Sequence, residues 1–232
     1  TDGLFHVQPA DLILLCTAAF AAGLIDAVVG GGGLIQIPAL FSVLPQAQPA
    51  TLFGTNKLAS IFGTASAAFR YARRIDVPWR AALPAALSAF VLSYYGAMMV
   101  SLLPKEWLRP LILALLIIVT VYIYVRKDLG AVDQHRAHGR RDMLLALLFG
   151  GVIGFYDGFF GPGTGSFLVF IFVRFFGLDF LRASASAKIV NAATNLAALL
   201  FFGAKTHVLL ATGLAMAVFN IGGSLVGSHL AI

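Results

Sequence analysis

Apolar residues run along this chain in long stretches that charged residues seldom interrupt. A helix that spans the hydrocarbon core of a bilayer needs about 20 predominantly apolar residues. Stretches of about that length cover residues 12–29, 52–69, 81–103, 108–125, 143–160, 183–202 and 208–232. The pattern therefore predicts an all-α, polytopic membrane protein.

Two shorter apolar stretches, 34–44 and 166–176, follow glycine-rich breaks at 30–33 and 161–165. At about 1.5 Å per helical residue, neither is long enough to cross a hydrocarbon core of about 30 Å. We predict two hairpins, residues 12–44 and 143–176, each built from a long helix, an unwound segment at depth and a returning half-helix. Irregular backbone persists at that depth only when it is buried in protein or lines a polar cavity.

The amino-acid composition agrees with a chain embedded in a lipid bilayer. Hydrophobic residues make up 59% of it and charged residues 11%, against roughly 45–50% and 25% in soluble domains. This balance argues against a soluble enzyme, a nucleic-acid-binding module and a disordered chain. The single Cys16 lies in an apolar run, so there is no disulfide framework and no cysteine-based metal site. We expect the lipid bilayer as a partner, and no nucleic acid, cofactor or metal.

The formal net charge of +6 reflects two basic loops. One contains Arg70, Arg73, Arg74 and Arg80, and the other contains Arg126, Lys127, Arg136, Arg140 and Arg141. Because short basic loops stay on the cytoplasmic side of a membrane, both are predicted to be cytoplasmic, and the two spans between them agree with this. The loop around Lys105 is then external. The N-terminus is predicted outside and the C-terminus in the cytoplasm.

A shift of 131 residues aligns the two halves of the chain without a gap. It places Asp26 on Asp157 and Lys57 on Lys188, which are the four charges that lie deep in apolar spans. It also places Asp11 on Asp142, Gly23 on Gly154, Gly30 on Gly161, Gly32 on Gly163 and Gly96 on Gly227. We predict a first repeat over 1–130, a cytoplasmic connecting loop over 131–141 and a second repeat over 142–232.

The first repeat contains an odd number of net crossings, so the second repeat should start from the opposite face of the membrane. Such inverted repeats are the architecture of many secondary transporters. Their binding sites lie near the midplane, where broken helices from the two halves meet. A short apolar segment behind a glycine break at matching positions in both halves indicates that place in this chain.

The glycine breaks are candidate binding segments for an anion. Gly31, Gly32 and Gly33 in the first break, and Gly163 and Thr164 in the second, precede or begin half-helices whose N-terminal N–H groups favour negative charge. No Gly-Lys-Ser/Thr follows either break, so neither is a nucleotide P-loop. The alternative is that these glycines only permit close helix packing. Glycines four residues apart elsewhere predict such packing: Gly150, Gly154 and Gly158, and Gly223 and Gly227.

The buried charges admit two interpretations. A lysine inside a membrane costs about 2.5–3.5 kcal/mol on the insertion scale, so something must offset it. One interpretation is an ion pair within each half, Asp26 with Lys57 and Asp157 with Lys188. The other is an anion site in which both lysines bind substrate. Three amide side chains, of Asn56, Asn191 and Asn195, would complete that site, and Asp26 or Asp157 would carry a coupling proton.

These motifs resemble those of the TauE/SafE sulfite exporter family, also called the toluene-sulfonate uptake permeases. The likeness rests on GLIDAVVGGGGLIQIPAL at 23–40, TNKLAS at 55–60, GFYDGFFGPGTGSFLVF at 154–170 and ASAKIVNAATN at 185–195. Pro162 and Thr164 depart from the glycine expected in the second motif. The resemblance implies a bacterial inner-membrane carrier for small, mostly sulfur-containing anions such as sulfite or organosulfonates. Substrate identity, direction, coupling ion and oligomeric state stay open.

Three alternatives to a secondary carrier are a passive anion channel, a structural subunit and an intramembrane aspartyl protease. A channel would conduct without coupling to a gradient. Four buried charges are costly for a purely structural subunit. A protease dyad shares one proton between two close carboxylates, whereas a lysine beside each aspartate would keep both ionised. Tyr156 also stands where the Gly-x-Gly-Asp pattern of that class requires glycine. We therefore expect no enzyme and no catalytic residues.

Overall fold

The computed structural model describes residues 7–125, 139–206 and 208–232, and this part of the chain contains nine α-helices and no strand. The helices are α1 (Pro9–Val29), α2 (Gly33–Val43), α3 (Pro49–Arg74), α4 (Trp79–Leu102), α5 (Lys105–Val125), α6 (Arg140–Phe159), α7 (Thr164–Phe176), α8 (Phe180–Lys205) and α9 (Leu210–Ala231). Each predicted span corresponds to one long helix, and the two short apolar stretches correspond to α2 and α7. Most of the predicted connecting loop, residues 131–138, lies outside the described residues.

Five of the long helices, α1, α4, α6, α8 and α9, have the length and hydropathy needed to cross a membrane. The predicted class, an all-α polytopic membrane protein, is confirmed. Helix α3 is more polar, and its N-terminal half is buried by its neighbours, including Thr55, Asn56 and Lys57. Proline at its first position and Arg73 and Arg74 in its last turn are typical of helix ends.

Large apolar side chains lie on the outside of the bundle and small ones on the inside. On α4, Leu83, Leu87 and Val91 are exposed, whereas Ala89 and Gly96 are buried. In a bilayer, lipid covers such an outer surface, and small residues allow helices to approach closely.

The predicted glycine packing is confirmed at both places. A Cβ added to Gly154 would overlap the backbone of Ala89 on α4, and one added to Gly223 would overlap the backbone of Phe20 on α1. The helix pairs α4–α6 and α1–α9 therefore pack backbone against backbone, and the methyl group of an alanine would separate them.

The two halves interlock through reciprocal contacts. Shifted by 131 residues, the bounds of α3 coincide with those of α8, and α1 packs on α9 as α6 packs on α4. Hydrogen bonds repeat in the same way: Ser93 Oγ donates to the Thr194 carbonyl (2.9 Å), and Ser224 Oγ donates to the Gly63 carbonyl (2.6 Å). Contacts that occur in such exchanged pairs are those of a two-fold arrangement. That the halves also face opposite sides of the membrane stays a prediction.

Candidate functional site

The two glycine breaks meet in the interior. Gly30, Gly31, Gly161 and Gly163 have φ between +80° and +97°, a region that side chains other than glycine rarely adopt. A Cβ added to Gly30 would lie 2.5 Å from the Gly165 carbonyl carbon, so the first break passes directly over the start of α7. Ser166 Oγ donates to the Val29 carbonyl (3.0 Å) and ties the hairpins together.

Each break ends in a helix N-terminus that no side chain caps. Helix α2 begins after Gly32 and α7 begins after Gly163, and neither N-cap residue makes a side-chain hydrogen bond. Carbonyl groups of the breaks accept some of the first N–H groups: Leu34 N donates to Gly31 (2.9 Å) and Thr164 N donates to Gly161 (3.2 Å). The N-terminus of a helix also carries a partial positive charge. The arrangement therefore directs the positive ends of two half-helices toward the meeting point of the hairpins.

A cavity of about 30 Å³ lies at this meeting point. It is lined by Ala22, Asp26, Gly31, Gly32, Gly33, Asn56, Lys57, Ser60, Thr64, Asp157, Gly161, Thr164, Gly165, Asn191, Asn195 and Asn220. Since about 10–15 Å³ on this scale holds one water molecule, the space suits a few non-hydrogen atoms. The lining is mostly glycine backbone, amides, hydroxyls and charged groups, which suits a polar occupant.

The structure brings most of the predicted site residues to this cavity. Two of them do not line it: Gly163 is the N-cap residue of α7, and Lys188 is completely buried beside α1. The other predicted residues, among them Lys57 and both aspartates, lie around one space although they come from α1, α3, α6, α8 and the two breaks.

Lys57 belongs to a short, buried ion pair. Its Nζ lies 2.6 Å from Asp157 Oδ2 and also donates to Asn195 Oδ1 at 3.0 Å. The side chains of Lys57 and Asp157 are 3% and 2% exposed. The predicted pairing of Lys57 with Asp26 is therefore wrong. Helix α3 of the first half packs on α8 of the second half, and the Lys57 side chain extends from it to Asp157 on α6.

Lys188 likewise contacts the aspartate of the other half. Its Nζ donates to the main-chain carbonyl of Asp26 and lies 3.8 Å from Asp26 Oδ2. The predicted pair of Lys188 with Asp157 is wrong for the same reason. The two ion pairs differ in geometry: Asp157 is buried against its lysine, whereas the Asp26 side chain is 15% exposed.

The structure adds residues that the sequence analysis did not propose as ligands, above all Ser60, Thr64 and Asn220. Ser60 and Thr64 follow Lys57 by one and two helical turns and align with Asn191 and Asn195 under the 131-residue shift, so the repeat contained a signal for them. Asn220 aligns with Ala89 and gave no such signal. Its Nδ2 donates to the Ala19 carbonyl and to Gln36 Oε1, both at 3.0 Å, which joins α9 to α1 and α2.

Asn56 is an orphaned polar group at the cavity. The residue is 4% exposed, and its Oδ1 is buried without a hydrogen-bond partner among the described residues. Buried polar atoms in proteins nearly always have a partner, so a ligand or an ordered water is the expected one. Within the described ranges, no group of three His, Cys, Asp or Glu residues could hold a metal ion.

Apolar helices of membrane-crossing length, with broken hairpins that meet at a charged internal cavity, are features of membrane transporters. A comparison with known families matches residues 15–232 to the family described as "Sulfite exporter TauE/SafE". The chain belongs to this family of membrane transporters, which confirms the resemblance noted in the sequence.

Several curated relatives match almost the whole chain. The "Probable membrane transporter protein ORF9" of Sinorhizobium sp is 40% identical over 234 residues, covering 100% of this chain and 85% of the relative. The "Probable membrane transporter protein YfcA" of Escherichia coli K12 is 38% identical over 232 residues (100% and 84%). A "Probable membrane transporter protein" of Haemophilus influenzae is 33% identical over 219 residues (94% and 83%). No solved structure matches the chain.

Proposed function

We propose that the protein is a secondary transporter of small, sulfur-containing anions that works by alternating access around the cavity between its two halves. The observation that carries the proposal is the convergence of two uncapped helix N-termini and the Lys57 ammonium on one buried polar cavity. Helix N-termini bind anions through free N–H groups and the helix dipole. The family description, a sulfite exporter, supports sulfite or an organosulfonate as the substrate class.

The site residues divide into two functional groups under this proposal. Gly31, Gly32 and Gly33 offer backbone N–H groups and allow close approach, and Thr164 and Gly165 line the cavity from the other side at the start of α7. The cavity-lining amides, of Asn56, Asn191 and Asn195, supply neutral donors. Lys57 supplies a charged donor, and Asp157 balances its charge. Lys188 acts on the cavity indirectly, through Asp26.

The location and orientation of the protein belong to the same proposal. We place it in the bacterial inner membrane with the N-terminus outside, the C-terminus in the cytoplasm and the halves inverted. The reciprocal packing of the halves supports alternating access, because equivalent interfaces exist on both sides of the cavity. A protease is disfavoured by the ion pairs, because each aspartate has a lysine as its charged partner.

Uptake into proteoliposomes tests the function. Purified protein is reconstituted, and the uptake of labelled sulfite, thiosulfate, methanesulfonate and acetate is measured with and without a proton gradient. We expect saturable uptake of at least one sulfur oxyanion, competition by the others and little uptake of acetate. Equal uptake of all four anions without saturation would identify a passive channel, and no uptake above empty liposomes would contradict the proposal.

A further inference from the structure

We propose that Asp26 binds the proton that moves together with the anion, and that Asp157 does not. The inference rests on the proposed function and assigns its coupling site. Asp26 and Asp157 are the carboxylates that line the cavity in the described ranges, and the 131-residue shift makes them equivalent in sequence. Their surroundings, however, differ in ways that assign the proton to one of them.

Asp157 is held in an ion pair. Its Oδ2 lies 2.6 Å from Lys57 Nζ, and the pair is almost fully buried. Proton binding at this oxygen would break a short, charge-assisted hydrogen bond, one of the stronger interactions in proteins. Asp157 is therefore engaged by Lys57, and the intact pair contributes no net charge to the cavity.

Asp26 is held less firmly. Lys188 Nζ donates to the main-chain carbonyl of Asp26 and lies 3.8 Å from its carboxylate, beyond normal hydrogen-bond length. The carboxylate is instead near Gly32 N at 3.5 Å, a long and weak contact. Part of its side chain faces the cavity. A proton arriving through the cavity can therefore reach Asp26 without breaking a short ion pair.

The difference between the two aspartates has a cause in the sequence. Asn195 anchors Lys57 by accepting a hydrogen bond from Nζ at 3.0 Å. Its equivalent in the first half is Thr64, whose side chain is shorter and which accepts a hydrogen bond from Asn195 Nδ2 at 3.4 Å. Lys57 thus has an amide that fixes it beside Asp157, whereas the equivalent position for Lys188 holds a hydroxyl engaged elsewhere.

The ionised Asp26 carboxylate competes with the substrate. It faces Gly32 N, the N-cap amide of α2, which is one of the groups that an anion would use. A proton on the carboxylate forms a neutral acid, weakens that contact and leaves Lys188 without its counter-charge. A bound monoanion then restores neutrality, so that one proton and one monoanion enter and leave the site together.

The groups around Asp26 support this sequence of events. Lys188 faces it from α8, and the Tyr71 hydroxyl of α3 donates to the neighbouring Ala27 carbonyl at 3.0 Å. Lys57 and Asp157 line the same cavity as a neutral pair. Helices α2 and α7 contribute glycine backbone and the Thr164 hydroxyl, and α9 contributes the Asn220 amide. Asp26 is therefore the cavity carboxylate that can take up a proton without loss of a short ion pair.

Proteoliposomes carrying methanesulfonate, a monoanion at every pH used, test the inference. With one pH unit of inward proton gradient, one-to-one coupling should let the wild type accumulate the anion about tenfold. Asp26→Asn, which imitates the protonated acid, should exchange internal for external anion at equal concentrations but accumulate none above equilibrium. Asp11→Asn, the same change at the start of α1 away from the cavity, should accumulate the anion like the wild type. Wild-type accumulation by Asp26→Asn would overturn the assignment.

If Asp26→Asn does not fold, infrared spectroscopy tests whether Asp26 is the proton-binding carboxylate. Infrared difference spectra on adding methanesulfonate should show a protonated-carboxyl C=O stretch in the wild type and in Asp157→Asn. Absence of this band from the wild type, or its loss in Asp157→Asn, would overturn the inference. Uptake that ignores the proton gradient in the wild type would also refute it and leave the transport function standing. No uptake or binding of sulfite and methanesulfonate at any pH would instead refute the transport function.

Discussion

Lys57 and Lys188 each lie beside an aspartate from the other half of the chain. A lysine alone in a membrane interior is costly, and a nearby carboxylate offsets much of that cost. Because each pair bridges the halves, the same contacts that neutralise the charges also hold the two halves together at the cavity. Removing one partner should therefore loosen the interface between the halves as well as the local structure.

The crossed pairing predicts which second substitution restores the stability that Lys57→Met loses. Lys57→Met should strand the Asp157 carboxylate and lower the free energy of unfolding by about 3–5 kcal/mol, the usual cost of breaking a buried pair. Asp157→Asn with Lys57→Met should recover most of that loss but not the anion uptake, because Lys57 is a proposed ligand. Unfolding in detergent, followed by circular dichroism, measures the stability.

The matched control combines Lys57→Met with a substitution of Asp26 instead of Asp157. Asp26→Asn with Lys57→Met removes one member from each pair, so it should be at least as unstable as Lys57→Met alone. A recovery equal to that of the Asp157 double variant would show that the crossed pairs do not form. Anion uptake by the Asp157 double variant at the wild-type rate would remove Lys57 from the binding site.

At the scale of elements, the hairpins depend on a backbone conformation and on close backbone contacts that only glycine allows. Gly30 combines a φ of +80° with direct contact to Gly165 and Ser166 of α7. The break can therefore turn the chain and lie against the other hairpin at the same residue. The two half-helices keep their N-termini at the cavity because the breaks behind them touch.

Gly30→Ala should separate the hairpins. The backbone of Gly30, with φ +80° and ψ 167°, lies in a region that is nearly restricted to glycine and costs other residues about 1–3 kcal/mol. Overpacking adds about 1–3 kcal/mol, so we expect a loss of about 2–6 kcal/mol together with impaired uptake. Gly203→Ala is the matched control, since Gly203 lies in α8 with open space around its Cα. It should be neutral or stabilise the protein by up to about 1 kcal/mol. Equal thermal stability and equal uptake of the two variants would contradict this account of the break.

At the scale of the whole molecule, the two halves pack reciprocally around the cavity. The α1–α9 contact repeats as α6–α4, and the α3–α9 contact repeats as α8–α4. An equivalent interface therefore lies on each side of the cavity, which suits a protein that opens to one side of the membrane and then to the other. Under the proposed function, we expect the halves to be inverted relative to the bilayer.

Accessibility labelling tests that inversion. In a Cys16→Ala background, single cysteines placed at Arg73 and Arg136 should react from the cytoplasm, because both replace residues of basic loops. A cysteine at Lys105 should react from outside. A membrane-impermeant reagent applied to intact cells and to inverted vesicles distinguishes the two sides. Finding Arg73 and Arg136 on opposite sides would exclude the inverted arrangement.

The sequence by itself determined the helices and the two broken hairpins. Span length follows from bilayer thickness and helical rise, and the breaks follow from runs of glycine, so both are local properties of the chain. The shift of 131 residues also brought out Asp26, Lys57, Asp157 and Lys188 as the important charges, because charged residues rarely coincide by chance in so apolar a chain.

Only the tertiary structure decided which of these residues meet. A repeat identifies equivalent residues, but a two-fold arrangement is compatible with pairing inside a half or across halves. The choice depends on how α3 and α8 pack on each other and on which aspartate each lysine then reaches, which no local pattern encodes. Packing likewise brought Asn220 into the cavity and placed Lys188 outside it, because the position of a side chain relative to a cavity depends on helices far apart in sequence.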